Sequence, residues 1–248
     1  ANYSSGNLAV LSFSSNGGID SVVQNIQHHG HGMVSPNQDH AHVHCAVMSP
    51  VSNVLFVTDL GLDKIFSYNY NEKTGKLSPG NPATYSVTKG SGPRMMTFSP
   101  DGKYLYLIQE LGGQITVFGY DSGKLTKVQE ISNLPEGYDG RIWAADIHFS
   151  PDGAFLYATN RDDLNDIVTY KVNKENGKIT PVHRQPTGGK TPRYFTVTPD
   201  GRYVLIGHQN DDAITIFKRN RKTGKLTMTD KRISVPHAVC LKMIPIEK

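Results

Sequence analysis

Five residues combine useful chemistry with a regular spacing. Arg94, Arg161 and Arg193 carry guanidinium groups, which grip carboxylate or phosphate through paired hydrogen bonds and do not deprotonate near neutral pH. His44 and Glu110 are the members of the set able to move a proton there. Such a constellation suits a site that binds an anion. An internal Arg94–Glu110 ion pair is the plainer reading, and it leaves two arginines without a named partner.

What makes these residues a set is a repeat. Ser49-Pro50, Ser99-Pro100-Asp101-Gly102, Ser150-Pro151-Asp152-Gly153 and Thr198-Pro199-Asp200-Gly201 recur at steps of 50, 51 and 48 residues. An apolar strand follows each, then a second strand. A tight turn comes next (Thr74-Gly75-Lys76, Ser122-Gly123-Lys124, Asn176-Gly177-Lys178, Thr223-Gly224-Lys225), and after it a third strand. Five residues before each Ser/Thr-Pro stand His44, Arg94, Ala145 and Arg193; eleven after stand Leu60, Glu110, Arg161 and Gln209. A hairpin brings the start of its first strand beside the end of its second, so both series belong on one rim.

With the strand preceding each turn, the unit has four strands in roughly 50 residues, the pattern of a β-propeller blade. The fold class is all-β: one propeller domain over 1–248, with whole blades at 44–89, 90–140, 141–189 and 190–236 and a half-blade at 1–43. A ring-closing strand, His237 to Ile246, occupies 237–248. The ring is expected to be incomplete. Roughly a hundred residues, about two blades, are expected to precede Ala1, and this missing N-terminal portion is the partner the open edges require.

Composition excludes other classes. The net charge of +4 comes from scattered basic residues and leaves no footprint for nucleic acid. No apolar run is long enough for a transmembrane helix, and two cysteines exclude a disulfide scaffold. His40-x-His42-x-His44 would place three imidazoles on one strand face, a spacing compatible with zinc. Residues 28–40 read instead as a loop with little acidic company beyond Asp39, so no metal is assigned. Thr187-Gly188-Gly189-Lys190-Thr191 resembles a phosphate-binding loop, but Arg184 stands where its first glycine should be and Pro192 where a helix should start. Cys45 and Trp143 read as core, with a sugar platform the alternative for Trp143.

His42-Val43-His44-Cys45, Gly92-Pro93-Arg94 with Glu110, Ala145-Asp146-Ile147-His148 with Asn160-Arg161, and Thr191-Pro192-Arg193 with Gln209 together resemble the lactonase family of seven-bladed propellers over the whole chain. Its members include the propeller-type 6-phosphogluconolactonases and, more distantly, the fungal carboxymuconate lactonizing enzyme. The resemblance implies a seven-bladed ring and hydrolysis of 6-phosphoglucono-1,5-lactone to 6-phosphogluconate, a cytoplasmic step of the pentose phosphate pathway. It implies no cofactor, and a small phosphorylated sugar lactone as the partner molecule. By motif it implies His44, Arg94, Glu110 and Arg161 as catalytic, with His44 or Glu110 as the base, and His42, Asp146, His148, Arg193 and Gln209 as substrate-binding. A lactonizing isomerase acting on a carboxylated muconate and a non-enzymatic binding propeller are the alternatives.

Overall fold

The computed structural model describes residues 1–244, and apart from one short 3₁₀ turn, Leu60–Leu62, its regular elements are all strands. Residues Asn7–Phe13 (β1) and Ile19–Gln27 (β2) form a two-stranded sheet. Four four-stranded sheets follow. The first contains β3 (Val43–Met48), β4 (Val54–Asp59), β5 (Lys64–Asn71) and β6 (Lys76–Ser86). The second contains β7 (Pro93–Phe98), β8 (Tyr104–Gln109), β9 (Gln114–Asp121) and β10 (Lys124–Ser132). The third holds β11 (Ala144–Phe149), β12 (Phe155–Asn160), β13 (Asp166–Val172) and β14 (Ile179–Pro186). The fourth holds β15 (Pro192–Val197), β16 (Tyr203–His208), β17 (Ala213–Arg219) and β18 (Leu226–Ser234). Each strand pairs antiparallel with its neighbour in sequence, so every sheet is a meander.

The repeated turns explain the meander. In Ser99-Pro100-Asp101-Gly102 the serine hydroxyl donates to Asp101 Oδ1 at 2.6 Å and Gly102 N–H donates back to the Ser99 carbonyl at 2.9 Å, with Gly102 at φ +71°. That left-handed conformation is one a side chain rarely adopts. The third and fourth sheets repeat the bond at 2.8 and 2.7 Å.

The core lies between sheets. β8 and β9 of the second sheet send Tyr106, Ile108, Ile115 and Val117 against Ile147, Leu156, Val168 and Tyr170 of the third; Tyr157 and Ile167 of the third meet Phe195, Val204 and Phe217 of the fourth. Burying each such side chain contributes about 1.5–3 kcal/mol. Tyr106 Oη donates to the Gly177 carbonyl at 2.6 Å and Tyr157 Oη to the Gly224 carbonyl at 2.9 Å, so each ring is also tied to the hairpin turn of the next sheet. β3, β7, β11 and β15 pack side by side as the innermost strands.

The closing strand expected from His237 to Ile246 is not formed over its described part. Residues 237–244 run without strand pairing, and 245–246 lie outside the described residues. A strand exists only through its ladder, and among the described residues no segment pairs with this one.

Candidate active site

The four inner strands share one irregularity. In β3 the ladder pairs Val43 with Asp59 and next Cys45 with Thr58, leaving His44 as an extra residue. Arg94 is the extra residue in β7 and Arg193 in β15; in β11 the break falls across Ala145 and Asp146. A β-bulge bends its strand and re-aims a side chain that strict alternation would have sent elsewhere. The same bond flanks every bulge, one pair nearer the rim: the N–H groups of Leu60, Glu110, Arg161 and Gln209 donate to the carbonyls of His42, Gly92, Trp143 and Thr191 at 2.9, 2.7, 2.9 and 3.0 Å. The two series of positions picked out by the repeat therefore do stand side by side on one rim.

Glu110 is the centre of the buried network there. Its Oε2 accepts from Arg94 Nε at 2.6 Å and lies 2.7 Å from Arg161 Nη2, while Oε1 accepts the Trp143 indole N–H at 2.5 Å. Arg94 also donates to the Ala145 carbonyl, and Arg161 to the Ala144 carbonyl at 3.1 Å. One carboxylate thus bridges two buried cations and binds the second sheet to the third.

In front of this network opens a cavity of about 420 Å³ walled by Tyr3, His44, Glu110, Trp143, Arg161 and Arg193. A second cavity, of about 380 Å³, continues past Trp143, Arg161 and Arg193 to Arg141, Gln209 and Asn210. Burial, followed by the charges of Arg94, Arg193 and Arg161, holds the His44 imidazole well below its ordinary value of 6.5. It is therefore neutral at pH 7, and its Nδ1 has no hydrogen-bond partner. Burial pushes Arg161 down to about 9, opposed by Glu110 and reinforced by Arg94 and Arg193; burial, then Arg94, also lowers Arg193. Both remain cations at neutral pH. Arg193 has no ion-pair partner among the described residues, and Arg161 Nε is buried without an acceptor. A neutral imidazole thus faces two cations with unspent donors, an arrangement suited to activating water beside an anionic or oxyanionic group.

The structure brings His44, Glu110, Arg161, Arg193 and Gln209 to these cavities and takes four other expected residues away. Arg94 is spent on Glu110 and Ala145 and stands behind the wall. Asp146 is fully buried: its oxygens accept from Ile147 N–H at 3.0 Å, His148 Nε2 at 2.9 Å and Phe195 N–H at 3.1 Å, which fastens β11 to β15. His148, held by Asp146, packs edge-on against Tyr194 and Phe195. His42 lies behind Tyr3, stacked at 4.3 Å between ring centroids, with Nδ1 on the Tyr3 carbonyl. None of these four lines either cavity described.

Three residues were missed or misread. Trp143 is not core: it lines both cavities, donates to Glu110, and carries Arg141 at 3.8 Å over its ring. Its carbonyl accepts the third of the four rim bonds, so the repeat register could have placed it beside the site. Tyr3 precedes the first repeated motif and carried no such signal, and Arg141 sits in an irregular connection. Of the three histidines at alternate positions, His44 parts from the others. His40 and His42 precede β3 with their rings 4.0 Å apart, and the bulge turns His44 into the cavity.

A family model described as "Lactonase, 7-bladed beta-propeller" matches residues 1–243. The chain is 34% identical to a 6-phosphogluconolactonase of Formosa agariphila and 31% identical to one of Bacillus subtilis, covering 98% of this chain and 69% of each relative. Among solved structures, the periplasmic gluconolactonase of Pseudomonas aeruginosa superposes with a TM-score of 0.94 at 37% identity, over 100% of this chain and 69% of that one. The bulged inner strands, the rim they build and the match over nearly the whole chain agree: the chain belongs to the lactonase family of seven-bladed β-propellers.

Proposed function

We propose that the chain hydrolyses 6-phosphoglucono-1,5-lactone to 6-phosphogluconate, the reaction named for its relatives from Formosa agariphila and Bacillus subtilis. The observation that carries the reading is the neutral His44 facing Arg161 and Arg193 across one cavity. Water attacks the lactone carbonyl carbon and His44 takes its proton. The oxyanion that forms is held by the free donors of Arg161 and Arg193. When the tetrahedral species collapses, the bond between that carbon and the ring oxygen breaks, and His44 returns the proton to the ring oxygen. The phosphate lies toward Arg193, Gln209 and Asn210, where the second cavity adds donors. Glu110 serves as the anion that positions Arg161 and Trp143, its two oxygens already taken by three donors. The described sheets supply four whole blades and half of another to a seven-bladed ring, a reading supported by the 69% of the relatives' length that the chain spans.

The test is the rate of ring opening above the spontaneous background, followed with a pH indicator, for the phosphorylated lactone and for glucono-1,5-lactone. Arg193→Gln is expected to raise KM for the phosphorylated lactone and to leave the melting temperature nearly unchanged, because no ion pair is broken. Absence of acceleration with the phosphorylated lactone overturns the proposal. Equal acceleration of both lactones would show that Arg193 and its neighbours do not read phosphate.

A further inference from the structure

Asp39, His40 and His42 bring one ligand atom each to within 4.8 Å of one another, outside the catalytic cavities. The hydrogen bonds around them decide what that spot can hold. His42 Nδ1 faces the Tyr3 carbonyl at 3.1 Å, and His40 Nε2 faces the Ser4 carbonyl at 3.2 Å. A carbonyl only accepts, so with the N–H groups on those two nitrogens the other nitrogen of each neutral imidazole is a bare lone pair. In that tautomer the lone pairs, His42 Nε2 and His40 Nδ1, both turn to Asp39 Oδ1, at 3.4 and 2.7 Å. Three acceptors then converge on a spot that suits a cation. Fixing a ligating histidine by a hydrogen bond from its far nitrogen to a backbone carbonyl is the usual outer support of a metal site.

We propose that Asp39, His40 and His42 bind a divalent transition-metal ion of zinc type, with water as the fourth ligand. Ligands at about 2.0–2.1 Å in tetrahedral zinc stand about 3.4 Å apart. The His42–Asp39 pair already has that spacing, and the half-exposed His40 ring stands closer. The backbone beneath is pinned. Gln38 Nε2 donates to the Leu60 carbonyl and to Asp63 Oδ1, each at 2.7 Å, and His42 N–H donates to Asp59 Oδ1 at 2.8 Å. The His40 carbonyl lies so near Gly61 that a Cβ there would meet it at 1.8 Å. The ion sits one ring behind the cavity wall, since His42 stacks on Tyr3 and the Tyr3 ring stands edge-on to His44 at 5.6 Å.

The test titrates the chelator-treated full chain with Zn²⁺ alone at pH 7.5 by calorimetry, with metal content measured after gel filtration and the visible spectrum recorded with Co²⁺. One ion per chain is expected, with cobalt bands of a four-coordinate nitrogen and oxygen site. Asp39→Asn combined with His40→Gln, both exposed positions, is expected to weaken binding by more than about 100-fold without changing the metal-free melting temperature. Absence of stoichiometric uptake overturns the proposal, because the cation between the three acceptors would then be a proton. Uptake undiminished in the double variant overturns it equally, placing the metal on other histidines such as His29 or His31.

Discussion

Replacing Glu110 by glutamine separates an anion that positions other groups from a base that takes a proton. The carboxylate receives Arg94 and Arg161 on Oε2 and Trp143 on Oε1. An amide has one acceptor oxygen and one NH₂ group, so in either orientation a donor meets donors. With the oxygen toward the arginines, two charge-assisted bonds fall to ordinary strength, each losing about 1 kcal/mol, and the buried indole N–H is orphaned at about 1–3 kcal/mol. The total is about 3–5 kcal/mol, within the range measured when a buried pair is broken. For a domain of this size that lowers Tm by roughly 6–20 °C.

Activity provides the second readout. If His44 is the base, Glu110→Gln lowers kcat through a displaced Arg161 yet keeps the acid limb of the pH profile, whereas His44→Asn removes that limb and costs about 10²–10⁴ in kcat. Calorimetry with stopped-flow lactone assays across pH 4.5–8 reads both effects. A Glu110→Gln variant that melts like the wild type and has lost the acid limb would refute the reasoning, since the carboxylate would then be a proton acceptor with little role in holding the arginines.

Three further outcomes follow from the same geometry. The acid limb of kcat/KM is expected below pH 6.5, because a base must be neutral and burial with three arginines lowers His44; removing one of those charges with Arg193→Gln should move the limb upward, as a pH series of initial rates would show. Asp146→Asn is expected to lower the unfolding free energy by one orphaned donor, about 1–3 kcal/mol, read in a denaturant melt, with kcat/KM unchanged, because the residue ties β11 to β15 and lines neither cavity. His208 donates Nε2–H to Thr215 Oγ1 at 2.9 Å and is held down to about 4 by burial and then Arg232. A folded value below the unfolded one removes stability as pH falls, so roughly 3 kcal/mol should be lost between pH 6.5 and 4. Denaturant melts of His208→Gln against wild type over that window should show the difference.

Much of the architecture was legible because two separate motifs, the Ser/Thr-Pro turn and the Gly-Lys hairpin, keep step through four units. The rim was legible for the same reason, since counting from the turn lands on the bulge and on the residue whose N–H closes the hairpin beside it. What counting from a turn cannot reveal is which donors are already spent. Arg94 and Arg193 occupy equivalent positions, yet Arg94 has Glu110 across its own hairpin and Arg193 has Gln209, so one cation is consumed and the other left for a ligand. Asp146 and His148 fail similarly: two residues apart on one strand, they satisfy each other. Tyr3 lies outside the repeat, and the final segment lacks the ladder partner that a strand requires.

The rim bond also explains how one scaffold carries so varied a set of side chains. Leu60, Glu110, Arg161 and Gln209 have almost nothing in common chemically, yet each donates the same backbone N–H to the partner strand beside its bulge. Since the backbone rather than the side chain closes the hairpin there, the side chain is released from the job of holding the blade together. Arg193 and Gln209 keep that freedom and can be exchanged for the sake of a different anion at little cost in stability. Glu110 does not, because its carboxylate has been drawn into joining two sheets. Changes of substrate in such a site should therefore concentrate on the Arg193 side of the rim, while Glu110, Arg94 and Arg161 change only together.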